Sequence, residues 1–123
     1  MAWVLIWGGL SLATLWTRTY ASLICFGIVW GVNAPQTHTW VLPIDWLVVD
    51  GLALIGSLGA WLYKREAACR VLAVILSARI LFHCYQLGSP LENLLYTQVC
   101  NGLFGLMLAS IWSIYLAERY FSR

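Results

Sequence analysis

Apolar positions run almost unbroken along this chain, and the few polar ones divide it into segments of helical length. Three long stretches, 43–63, 67–87 and 91–117, each match the roughly 20 residues that a helix needs to cross about 30 Å of hydrocarbon. Pro43 fits the first turn of its helix, where no amide bond is lost, and Asp45 behind it complements the positive end of the helix dipole. Lys64-Arg65-Glu66 predicts a turn between the first two stretches, and Gly88-Ser89-Pro90 one between the second and third. The apolar run 2–33 is different. As one helix it would extend roughly 48 Å at about 1.5 Å per residue, with Arg18 at its middle. Two short helices, 2–16 and 20–33, turning at Thr17-Arg18-Thr19, avoid both problems. The alternative is an interfacial helix rich in tryptophan (Trp3, Trp7, Trp16) followed by one span. The predicted fold is an all-α integral membrane bundle of five transmembrane helices, or four if 2–33 crosses once. Residues 33–39 form its sizeable polar loop, and 1–123 read as a single transmembrane domain.

Composition agrees. The chain has 123 residues, 62% of them hydrophobic and 10% charged, with net charge +2. Soluble domains average roughly 45–50% and about 25%. So few charges cannot cover a soluble surface, and so many apolar residues exclude a disordered chain. Nothing basic precedes the first apolar run, so the pattern does not read as a cleaved signal peptide. There is no basic stripe with interleaved aromatics, which excludes nucleic acid as a partner.

The placement of the cations sets an orientation. Arg18, Lys64, Arg65, Arg70, Arg119 and Arg123 flank apolar stretches, and a five-span path puts all six on one side, whereas segments 34–42 and 88–91 carry neither Lys nor Arg. By the positive-inside rule the C-terminus is cytoplasmic, as in a multi-pass protein of a bacterial inner membrane, and the N-terminus lies outside. Aromatic residues near the predicted helix ends, Trp30, Trp61 and Tyr115 among them, fit interfacial belts.

The residues out of place in lipid are Asp50, Arg79, His83, Gln98 and Asn101, which on this topology share the outer half of the membrane. Asp50 aligns with Ala53, Ser57 and Ala60, small residues that let another helix approach. Arg79 and His83, four apart, share a face with Leu72, Leu76 and Gln86. Gln98, Asn101 and Gly105 align on the last helix, with Ala109 a turn further. Asp50 with Arg79 is the expected ion pair, because an isolated charge at the helix centre costs about 2.5–3.5 kcal/mol on insertion scales. His83, Gln98 and Asn101 are then placed to satisfy what the pair leaves open. The cluster reads as a buried lock on helix register, as a wet, conducting or oligomer-facing polar seam, or, least favoured, as a ligand site.

No metal or cofactor is expected. His38 and His83 have no second ligand at metal spacing, and the four cysteines form no CxxC pair. GxSxG and glycine-rich phosphate loops are absent; Gly51, Gly56, Gly59, Gly102 and Gly105 read as packing positions. An enzyme would need Asp50 and His83 as its acid and base with no further residues to shape a pocket, so the expected role is non-enzymatic.

The helix W-L-V-V-D-G-L-A-L-I at 46–55, the turn K-R-E-A-A-C-R at 64–70, I-L-F-H-C-Y at 80–85 and L-L-Y-T-Q-V-C-N-G-L-F at 94–104 resemble small multi-spanning membrane proteins of tailed phages and prophages. The resemblance covers most of the chain as a pattern of helix types. It implies a host inner-membrane setting. Holins share the size and multiple spans, but many carry a longer charged tail than Glu118 to Arg123. Three roles are expected from these features: self-association or permeabilisation in the membrane, an accessory subunit docking to other membrane proteins, and a small transporter. The partners are the bilayer and either the protein itself or other membrane proteins.

Overall fold

The computed structural model describes residues 2–33, 43–88 and 93–121. The predicted loop 34–42, the turn at 89–90 and Arg123 lie outside them. Among the described residues five α-helices occur in order: α1 (Ala2–Thr14), α2 (Tyr20–Asn33), α3 (Pro43–Lys64), α4 (Ala67–Gly88) and α5 (Asn93–Tyr120). No strand occurs among the described residues. Residues 2–33 thus form two helices, and polar side chains close the turn between them. A short 3-10 helix, Leu15–Thr17, ends α1, and Arg18 takes a left-handed conformation (φ 55°), its N–H donating to the Leu15 carbonyl at 3.0 Å. That conformation costs a non-glycine residue roughly 1–2 kcal/mol. Two caps on the start of α2 offset the cost. Thr19 Oγ1 accepts the Ser22 N–H at 3.1 Å, a standard N-cap. The Glu66 carboxylate, from the α3–α4 turn, accepts the Tyr20 N–H at 3.1 Å and the Ala21 N–H at 3.0 Å. An anion on the first amides of a helix also meets the positive end of its dipole. The α3–α4 turn repeats the device, with Arg65 left-handed (φ 54°) just before Glu66.

This contact brings the α1–α2 and α3–α4 turns to one end of the bundle. α5 packs back on α1 at that end: the Trp112 indole donates to Thr14 Oγ1 at 3.0 Å. Further along, the Trp7 and Phe104 rings meet edge to face at 5.6 Å. Gly105 admits this approach, because a Cβ there would lie 2.9 Å from the Trp7 ring. The core is built chiefly from α2, α4 and α5, with Cys25, Ile28, Leu72, Leu76, Met107 and Ile111 among its buried side chains.

Outside the core the surface is apolar. Leu52, Ile55 and Leu62 on α3 are 61–68% exposed, as are many leucines elsewhere to similar degrees. Within α1, Ser11 donates to the Gly8 carbonyl (2.9 Å) and Thr14 to the Leu10 carbonyl (2.7 Å), which suits a setting without water, whereas the buried Ser57 hydroxyl on α3 meets no hydrogen-bond partner among the described residues. Segments Leu47–Lys64, Ala67–Gly88 and Gln98–Tyr120 are long and apolar enough to cross a membrane. These features support a membrane helical bundle. α1 and α2, with 13 and 14 residues, extend only about 20 Å each, short of the roughly 30 Å of a bilayer core.

Candidate functional site

Asp50, Arg79 and His83 meet where α3 packs on α4. Arg79 and His83 are one turn apart on α4, so both reach the same carboxylate: Asp50 Oδ2 lies 3.1 Å from Arg79 Nε and 2.7 Å from His83 Nε2. Asp50 and His83 are fully buried and Arg79 is 1% exposed. The α4 face continues through buried Leu72, Leu76 and Gln86. From α5, the Tyr96 hydroxyl pairs with His83 Nδ1, and Cys100 Sγ lies 4.0 Å from the same nitrogen. Tyr96 also stacks on Phe82, ring centroids 5.4 Å apart. A single polar chain therefore ties three helices together, running Arg79–Asp50–His83–Tyr96. His83 lies five residues from the end of α4, about 7 Å along the axis, and Asp50 seven residues into α3, about 10 Å.

Arg79 offsets the charge of the Asp50 carboxylate, and both ring nitrogens of His83 are occupied, Nε2 by Asp50 Oδ2 and Nδ1 by the Tyr96 hydroxyl. A charge buried with its partner and its hydrogen bonds avoids the penalty of an isolated one. Chemically, the chain can fix a histidine tautomer and hold three helices in register.

The two amides expected in this cluster are not gathered into it. Gln98 is exposed and Asn101 half-buried. Of the expected alignment of Gln98, Asn101 and Gly105, only Gly105 packs closely, against Trp7; the buried stripe of α5 is Tyr96, Cys100, Phe104, Met107 and Ile111, nearly opposite Gln98 on the helix. α5 is apolar all round, so hydrophobic periodicity does not reveal which face is inside. Tyr96 and Cys100 are the site residues that sequence reasoning missed. A signal for Tyr96 existed, since a buried histidine facing Asp50 through one nitrogen needs a partner for the other, and Tyr96 sits at the matching depth.

The small residues behave unequally. On α3, Ser57 is buried and Ala53 and Ala60 are half-buried against the core. Gly56 would place a Cβ 3.7 Å from Ile24, and Gly105 is filled by Trp7, so both are packing positions. Gly51, Gly59 and Gly102 have nothing within 4 Å of a built Cβ, so within the protomer they are not close helix contacts.

Two cavities lie at the opposite end of the bundle from the polar chain. One, of about 440 Å³, is lined by Leu15, Arg18, Thr19, Tyr20, Ser22 and Leu23. The other, of about 330 Å³, is lined by Trp16, Thr17, Arg18, Tyr115 and Arg119. Among the described residues no three His, Cys, Asp or Glu side chains are grouped to hold a metal, and the four cysteines are free thiols. Comparison with protein-family models, curated proteins and solved structures finds no match for this chain.

Proposed function

We propose that this is a non-enzymatic, five-span protein of a bacterial inner membrane that acts by associating with a second copy of itself along α5. The cation-bearing end is cytoplasmic in this reading. Glu66 joins the turn carrying Arg18 to the turn carrying Lys64 and Arg65, and the cavity shared by Arg18 and Arg119 adds the end of α5. Gathering those cations at one end is the pattern of positive-inside topology. Local thinning of the bilayer accommodates the short α1 and α2. The likeness to small phage and prophage membrane proteins fits the same setting.

The observation that carries the association is Gln98. It is exposed, on an outward stripe with Gly102, Ala109 and Ser113. Tyr96 is level with His83, so Gln98, two residues on, lies about 3 Å deeper in the hydrocarbon. An amide there needs a partner, and its own copy across a two-fold axis presents a matching donor and acceptor. Gly102 leaves room for close approach. Enclosure of the Asp50–His83 chain within one protomer supports association rather than a pore lined by those charges.

Energy transfer between donor- and acceptor-labelled copies in lipid vesicles tests this. With two interhelical amide bonds of about 0.6–2 kcal/mol each, Gln98→Leu should weaken association roughly tenfold or more. A wild type that stays monomeric, or a variant that associates unchanged, would remove the reading. Retention of one other membrane protein through Gln98, without self-association, would favour the accessory-subunit role.

A further inference from the structure

The cytoplasmic end of the bundle is stepped. Trp112 is level with Thr14 through its indole bond, yet α5 continues eight residues beyond it to Tyr120, whereas α1 gives way within a turn to Leu15–Thr17 and the left-handed Arg18. The long helix therefore overhangs the short hairpin by about 6 Å, the difference between eight α-helical residues and three 3-10 residues. The two cavities occupy this step and share Arg18. We propose that they form one binding site for an anionic glycerophospholipid, with its phosphodiester between Arg18 and Arg119 and its acyl chains along Leu15 and Leu23.

Charge, shape and position converge on that ligand. Arg18 meets no carboxylate within 4.0 Å among the described residues. Arg119 meets tyrosines rather than a carboxylate in a salt bridge among the described residues: its guanidinium lies 3.5 Å from the Tyr115 hydroxyl and 5.9 Å from the Tyr120 ring. Glu66, in the neighbouring turn, is occupied by the Tyr20 and Ala21 amides and the Cys69 thiol. Glu118 is the other acid at this end among the described residues, where Arg18, Lys64, Arg65, Arg70 and Arg119 also lie. Arg65 and Arg70 lie 6.0 and 5.4 Å from the Trp61 ring, so the arginines at the step are the ones facing open volume.

The walls explain why the anion is a lipid. The cavities combine apolar walls, from Leu15, Leu23 and Trp16, with the cationic side chains of Arg18 and Arg119, the two chemistries that a phospholipid presents. Basic pockets between helices on the cytoplasmic side are suited to anionic headgroups. Left-handed backbone at position 18 favours glycine, so an arginine there is held against local preference with its guanidinium at the junction of both cavities. The inference rests on the bilayer setting proposed above and is independent of association through α5.

Native mass spectrometry of detergent-purified, delipidated protein offered equal phosphatidylglycerol and phosphatidylcholine tests it. The wild type should retain phosphatidylglycerol about tenfold over phosphatidylcholine, and R18Q/R119Q should bring that ratio near one. R18G, which suits the left-handed backbone, should lose the preference while folding normally, so a misfolded R18Q does not obscure the result. K64Q/R70Q removes equal charge from the same end and should retain the preference. Loss there to the same extent would show bulk attraction and overturn the site, as would an unchanged ratio in R18Q/R119Q. Displacement of the lipid by inorganic phosphate, but not by chloride at equal ionic strength, would identify a free-phosphate site and overturn the lipid assignment.

Discussion

Replacing Asp50 should damage the protein far more than replacing Arg79, although the two form one ion pair. At 3.1 Å, and with an effective dielectric of about 20, their attraction is on the order of 5 kcal/mol, most of which offsets the cost of burying both charges. Asp50→Asn leaves the buried guanidinium facing a neutral amide, and removing one member of such a pair costs about 3–5 kcal/mol. Arg79→Gln is different. Asp50 keeps its 2.7 Å contact with His83, so the buried carboxylate retains one hydrogen-bonding partner. That change should cost about 1–3 kcal/mol, near the loss of a charged hydrogen bond. The double variant Asp50→Asn/Arg79→Gln buries no charge in the pair and should be more stable than Asp50→Asn alone, a coupling of about 2 kcal/mol or more. Reversible unfolding in mixed micelles of rising dodecyl sulfate content, followed by tryptophan fluorescence, measures all three. Additive effects, or an Arg79→Gln variant as unstable as Asp50→Asn, would refute the network as described.

Two further expectations use the same unfolding assay. Tyr96→Phe removes the hydroxyl that pairs with His83 Nδ1 but keeps the stack on Phe82, and should cost about 1–2 kcal/mol. Gly105→Ala must displace the Trp7 ring and should destabilise by about 1–3 kcal/mol, whereas Gly102→Ala meets nothing and should stabilise the protomer by about 0.5–1 kcal/mol.

Legibility in the sequence depended on the physics of each signal. The long helices are written in apolar runs bounded by charge and proline, and their observed limits lie within three residues of those expected. The break near Arg18 was legible from length and charge, but not its mechanism, because Glu66 caps α2 from 46 residues away. Asp50, Arg79 and His83 stood out because ionisable residues in hydrocarbon must find partners, and helical spacing put two of them on one face. Tyr96 did not stand out, since a tyrosine near a helix end also suits the headgroup region. Gln98 was misplaced because depth alone says nothing about azimuth, and a helix apolar all round has no periodic face to read. Gly51, Gly59 and Gly102 were expected to be contacts for the same reason.

The central claim is that the polar chain is enclosed within the protomer and the protein associates without conducting. The most direct test is a membrane-potential dye in bacteria expressing wild type, Asp50→Asn or Arg79→Gln at matched membrane levels. The wild type should cause no depolarisation, and Asp50→Asn should lose membrane lifetime more than Arg79→Gln. Depolarisation by the wild type that either substitution alters would contradict it and make the charged layer part of a conducting path.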